Sequence, residues 1–348
     1  MERTRQMTYA MIEAAVTKGI RDIQDNLRRG IRNFVDLGSY FAAGQPHQSF
    51  FQYAQYVIKD YKSSYYQLVA KVINNIDHRI VKRVGINLGY NSWTYGAKKI
   101  RQQGESWGYN VPWSLIFDFR KAENPTMTMA DMSALLSNAE SLGIYCSIVF
   151  AGADSDYLRS LLATLPSLKN QTFFVFTSPS LITHELAQLA HSANNIGLVL
   201  EFDSTTKDQC RLASQTLLEQ KCLYGTYTTY NQHSIELMTS SHFVESLDKL
   251  KGSFAFLVRE EENMDPALLQ PLQEYLRKAR GPNGRTVFMI DFYDDLAYVS
   301  NKIAKGSSFF VITDDGHIRK SLNGPTIQGI NTKTHSLKAI AKTVASCS

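Results

Sequence analysis

The chain has little cysteine: four residues in 348, Cys146, Cys210, Cys222 and Cys347, with no C-x-x-C pair and no cysteine beside a histidine at ligand spacing. A disulfide framework and a zinc site are therefore not indicated, and a reducing, cytoplasmic setting is expected. Long hydrophobic runs are also missing. No window approaches the roughly 18 apolar residues of a membrane span, and Met1-Glu2-Arg3-Thr4-Arg5 lacks the apolar core of a signal peptide. Nothing has the pattern of a helix-turn-helix, a zinc finger or an RNA-recognition module.

What is present is an ordinary globular composition, 44% hydrophobic and 20% charged, with length for about two domains. The net charge of +5 is uneven. Up to residue 110 there are 16 Lys and Arg against 8 Asp and Glu, and beyond it 21 against 24. The basic residues are scattered, which favours a solvated or partner-facing surface over nucleic acid or a peripheral membrane contact.

Residues 1–108 read as helical. Ile12, Val16, Ile20, Ile23 and Leu27 recur at three to four, and Arg28-Arg29-Gly30 reads as a break before a second helix from about Ile31. Phe50, Phe51, Tyr53, Ala54, Tyr56, Val57 and Ile58 form an aromatic-rich helical run, which makes an interfacial or ligand-binding face or, as the more common outcome, is buried in a helical layer.

From Val111 the pattern changes to short apolar runs at 113–117, 144–150, 173–176, 196–200, 223–229, 254–258 and 287–290. Amphipathic stretches at 129–142, 157–165, 182–191, 209–220, 240–250 and 266–279 lie between them. This alternation predicts α/β architecture, a parallel sheet covered on one face or closed as a barrel. Phe309–Ile312 and His317–Arg319 flank Asp314-Asp315-Gly316, a hairpin signal.

Barrel-like α/β folds gather ligands at the carboxyl ends of their strands. The ends read here are Asp118, Gly152 with Asp154, Thr177, Glu201, Tyr230, and Arg259 with Glu260. Carboxylates near an arginine serve acid–base chemistry or hold a polar ligand, or they simply line a wet mouth. His184 and His191, seven apart on one predicted helix, lie about 10 Å apart in rise, too far to share an ion.

Several segments resemble the radical S-adenosylmethionine (SAM) family. Asn110-Val111-Pro112-Trp113-Ser114-Leu115-Ile116-Phe117-Asp118 is similar to the N-I-P-W-A-I-L-M-D strand before that family's C-x3-C-x2-C cluster loop. Ile76-Asp77 with Asn87-Leu88-Gly89-Tyr90-Asn91 resembles its opening segment. Phe150-Ala151-Gly152-Ala153-Asp154-Ser155 stands where F-S-G-G-E-P contacts the SAM amino group, and Phe176-Thr177-Ser178-Pro179 resembles F-T-N-G. Asp291-Phe292-Tyr293-Asp294-Asp295 resembles the entrance to a C-terminal auxiliary segment of SPASM or twitch type. Lys302 and Ser321 there replace cluster cysteines.

The loop Phe119–Thr126 holds no cysteine, and about 15 residues that would include all three ligands are missing before Met129-Ala130-Asp131 restarts the match. The resemblance covers 70–75% of the chain and implies a partial (β/α)6 TIM-like barrel of radical SAM type at 109–285. A basic helical domain at 1–108 precedes it, and a degenerate SPASM/twitch-like segment with a β-hairpin at 286–348 follows. It implies no iron–sulfur cluster and no radical catalysis, and leaves residual SAM binding open. The expected role is a pseudoenzyme, a binding or scaffold module for a small ligand or for a protein or peptide partner, such as an active radical SAM homologue. The alternative is a redox-independent enzyme, SAM-dependent or not, working through the barrel-mouth carboxylates.

Overall fold

The computed structural model describes residues 2–42, 48–122, 125–261, 264–306 and 309–346. Cys347, and Glu123 and Asn124 of the cysteine-free loop, lie outside them.

Five helices open the chain: α1 (Glu2–Asp25), α2 (Leu27–Phe41), α3 (Gln48–Val57), α4 (Ser64–Asn75) and α5 (His78–Ile86). A π-helical stretch (Asn87–Gly96) then runs into α6 (Ala97–Trp107). Ile20, Ile23, Ile31, Val57, Ile58, Tyr66 and Ile73 form their shared core. The break between the first two helices falls at Asn26, not at Arg28-Arg29-Gly30. The Asn26 side chain accepts the Arg29 N–H as an N-cap. Gly30 serves close helix approach instead: a Cβ there would stand 2.4 Å from the Ile23 nitrogen.

The aromatic run of α3 departs from expectation as well. Val57 and Ile58 are buried, but Phe50, Tyr53 and Tyr56 remain 51%, 44% and 57% exposed.

The remainder is built on one sheet. Its strands are β1 (Ser114–Asp118), β2 (Cys146–Phe150), β3 (Thr172–Thr177), β4 (Ile196–Glu201), β5 (Leu223–Tyr230), β6 (Phe254–Arg259), β7 (Phe288–Asp291), β8 (Val311–Thr313), β9 (His317–Arg319) and β10 (Thr326–Asn331). The helices are α7 (Met129–Leu142), α8 (Ser155–Thr164), α9 (His184–Ala193), α10 (Lys207–Glu219), α11 (Ser241–Lys249), α12 (Pro266–Ala279), α13 (Phe292–Ala304) and α14 (Leu337–Ser346). The order is β10-β9-β8-β1-β2-β3-β4-β5-β6-β7. Strands β1 to β7 pair in parallel, β8 adds to β1 in parallel, and β9 and β10 run antiparallel.

Seven parallel strands thus follow in sequence where the resemblance implied six, because β7 continues the sheet beyond β6. Strands β1, β2 and β6 are buried along their whole length, as continuous apolar runs require. Local signals set the helix ends. Thr128 and Asp131 form a capping box for α7, Gly143 ends it at φ +99°, and Asp265 with Pro266 starts α12.

The N-terminal helices cover the amino-terminal end of the sheet. Asn87 and Asn91 donate to the carbonyls of Lys169, Asn170 and Gln171 just before β3. The Asp77 N–H reaches the Lys221 carbonyl before β5. Lys71 donates to Gly252 and Thr286, and Tyr65 donates to the Arg280 carbonyl. The carboxyl ends of the strands therefore lie on the opposite side from this helical layer. No helix among the described residues is long and apolar enough to cross a membrane.

Candidate functional site at the barrel mouth

Every residue read from the sequence as a site candidate sits at or just past the carboxyl end of its strand. Asp118 closes β1 with its side chain only 1% exposed. Arg120, two residues on, reaches back to both of its carboxylate oxygens at 2.8 and 3.0 Å, and Arg319 at the end of β9 adds a contact at 3.5 Å. A carboxylate this deep is tolerated because cations and hydrogen bonds replace the water it lost. The Arg120 guanidinium also lies 4.9 Å from the centre of the Phe150 ring.

Gly152, after β2, is packed against the same turn. A Cβ there would stand 2.7 Å from the Phe119 carbonyl oxygen and 3.1 Å from that of Ala122. Asp154 is the N-cap of α8, accepting the N–H groups of Asp156 and Tyr157. Its carboxylate is used in holding a helix.

Thr177 at the end of β3 is buried, and among the described residues its hydroxyl has no hydrogen-bond partner. Glu201 at the end of β4 is half-buried. Burial raises its pKa above the ordinary carboxylate value and the Asp203 charge adds to the effect, while a hydrogen bond with Tyr227 and the Arg120 charge oppose it.

Tyr230 at the end of β5 is fully buried, with its hydroxyl 3.1 Å from Asp291. Burial pushes both the Tyr230 phenol and the Asp291 carboxyl up. Arg259 at the end of β6 donates to Asp294 at 2.5 Å and stacks on Tyr293 at 5.2 Å. The mouth therefore carries two groups, Asp118–Arg120–Arg319 bordering Glu201–Tyr227, and Tyr230–Asp291 beside Arg259–Asp294.

The interior below is filled by rings. Phe150 and Phe176 lie 4.3 Å apart; Phe176 meets Tyr227 and Phe256, each at 5.1 Å. Phe292, the first residue of α13, lies against Phe150, Phe176 and Phe256 at 5.6, 6.2 and 6.4 Å. All but Tyr227 and Phe256, at 5% and 6%, are 1% exposed or less. Arg120, Arg319, Tyr227 and Phe292 escaped the sequence reading. All four stood in segments already singled out, but only the fold shows them brought together at the mouth.

The residues present do not fit an iron–sulfur cluster, which is held by cysteine thiolates. Cys146, Cys210 and Cys222 are buried on β2, on α10 and before β5, and burial pushes each thiol up to about 12. Among the described residues no three His, Cys, Asp or Glu are grouped to hold a metal ion. His191 instead bonds the Gln220 carbonyl and approaches Arg79 and Asp77, while His184 bonds Gln188. Beside Gly152 the carbonyls of Phe119 and Ala122 pack closely, and aromatic rings fill the adjoining interior.

No protein-family profile matches the chain, and no curated protein sequence does. Among solved structures it is similar to SuiB from Streptococcus suis, determined bound to S-adenosylmethionine. The TM-score is 0.51 at 13% identity, over 73% of this chain and 69% of that one. The tryptophan synthase A-subunit of Pyrococcus furiosus (TM-score 0.36, 10% identity, 59% and 88% covered) and the carboxyl transferase domain of Rhizobium etli pyruvate carboxylase (0.37, 12%, 61% and 42%) match too loosely to carry an argument. The likeness to SuiB bears on the fold alone, and it supports the partial α/β barrel that the sequence motifs implied.

Proposed function

We propose that this chain is a pseudoenzyme on a radical SAM-type scaffold, a cytoplasmic binding module for a protein or peptide partner. The observation that carries this reading is the self-filled barrel mouth. The turn Phe119–Ala122 lies against Gly152, Arg120 is committed to Asp118, and five aromatic rings occupy the space beneath. A fold whose pocket is filled by its own side chains keeps its outer surface for work, since fold and chemistry are separable.

That outer surface is distinctive on the N-terminal helices. Of thirteen exposed large apolar or aromatic side chains among the described residues, eight fall between Met7 and Tyr61. Aromatic side chains left in water in such density mark contact with another molecule.

The test is reconstitution with iron and sulfide under reducing conditions, followed by analytical centrifugation with cell extract fractions and identification of any stoichiometric partner. The reading expects a colourless protein that enters a defined complex. A stable chromophoric cluster would overturn it.

One observation favours a second reading, a redox-independent enzyme. Glu201 is a half-buried carboxylate with a raised pKa beside Tyr227, the environment of a general acid or base. That reading requires turnover that is lost in Glu201→Gln while the fold is kept.

A further inference from the structure

The groove between α2 and α3 has the chemistry of a site for an acidic peptide. It is an open surface depression of about 510 Å³ lined by Arg32, Asp36, Gln52, Gln55, Tyr56 and Lys59. Its cations, Arg32 and Lys59, and the neighbouring Arg28 have no carboxylate partner among the described residues; the Arg32 guanidinium is hydrogen-bonded to the Tyr61 and Tyr66 hydroxyls, and the Asp36 carboxylate in the groove accepts the Gln55 amide at 2.8 Å.

They are also pre-positioned. Arg28 and Arg32 stack on Tyr61 at 5.6 and 4.3 Å, so the guanidinium planes are held without an anion. Tyr56 and Tyr61 stand 57% and 55% exposed beside them. Rigid aromatic area next to oriented guanidinium groups is what a protein interface uses as an anchor.

We infer that this groove binds an acidic, extended segment of a partner protein, its carboxylates meeting Arg28, Arg32 and Lys59 and its apolar side chains meeting Tyr56 and Tyr61. The inference rests on the proposed role as a binding module and names its partner chemistry. Charge complementarity selects the occupant. Guanidinium groups without a carboxylate partner match carboxylates, while a groove that also holds Asp36, Gln52 and Gln55 suits a polypeptide with its own amides better than a flat lipid surface or a polyphosphate chain.

The test uses the full chain and a fluorescein-labelled glutamate-rich peptide with interspersed leucines, read by anisotropy. A lysine-rich counterpart, single-stranded DNA and phosphatidylserine vesicles are run beside it. Saturable binding of the acidic peptide is expected, weakened about tenfold in Arg32→Glu and in Lys59→Glu and unchanged in Lys169→Glu on the barrel surface. Lys59 is exposed, so Lys59→Glu keeps the test valid if Arg32→Glu fails to fold.

Absence of peptide binding, or binding indifferent to both groove variants, overturns the inference. So does groove-dependent binding of DNA or vesicles in place of the peptide. None of these outcomes touches the self-filled barrel mouth, which SAM titration and cluster reconstitution read independently.

Discussion

Gly152 and Phe119 approach so closely that a Cβ on Gly152 would stand 2.7 Å from the Phe119 carbonyl oxygen. The contact joins the glycine that the family resemblance assigns to SAM with the loop that the resemblance assigns to the cluster.

Gly152→Ala is therefore expected to destabilise the protein. The added methyl meets two backbone carbonyls, which cannot rotate away as a flexible side chain would, so a cost of about 1–3 kcal/mol follows. A urea midpoint lowered accordingly supports the contact, and an unchanged midpoint contradicts it.

Asp118 and Arg120 predict a non-additive pair. Arg120→Met leaves the buried carboxylate with the backbone N–H of position 120 at 3.3 Å and Arg319 at 3.5 Å. The expected loss is about 2 kcal/mol, below the usual cost of breaking a wholly buried pair because Arg120 is a quarter exposed. Adding Asp118→Asn removes the orphaned charge, so the double variant is expected to be more stable than Arg120→Met. A double-mutant cycle in denaturant measures this, and simple additivity would contradict it.

Phe292→Ala opens a cavity between Phe150, Phe176 and Phe256. A loss of about 3–5 kcal/mol is expected from the removed contacts and the void. If thermal unfolding shifted by less than a surface substitution does, the ring-filled interior would be wrong.

The buried thiols give a pH dependence. In the unfolded chain a thiol ionises near 9.0, while burial holds those of Cys146 and Cys222 near about 12. The unfolded chain therefore loses its protons first. The stability these thiols contribute is fully present below pH 9 and is lost as pH rises toward 12. The stability difference between the wild type and Cys146→Ala should shrink across that window. A difference independent of pH would contradict the burial.

The elements were legible because they depend on local pattern. The amphipathic stretches 129–142 and 266–279 coincide with α7 and α12, and all seven apolar runs became strands. Pairing partners were less legible. Nothing local in Val311–Thr313 says that it joins β1 in parallel, since that contact spans nearly 200 residues. The exposed aromatics of α3 show the same limit, because helical periodicity gives a face without saying what covers it.

The candidate site was legible in position but not in state. Strand ends located Asp118, Glu201, Tyr230 and Arg259, because in a parallel sheet they converge on one rim. That Asp154 is a helix cap, that Arg120 is turned inward and that Phe292 fills the lumen all depend on how loops return over the sheet. These are tertiary facts with no periodic signature.

The most direct test of the central claim, a barrel mouth filled by its own chain, is calorimetric titration of SAM into the purified protein without reducing iron. The account predicts no saturable heat at several temperatures, because Phe119, Ala122, Arg120 and Phe292 occupy the space. Micromolar binding at one molecule per chain would contradict it and would reopen the mouth as a ligand site.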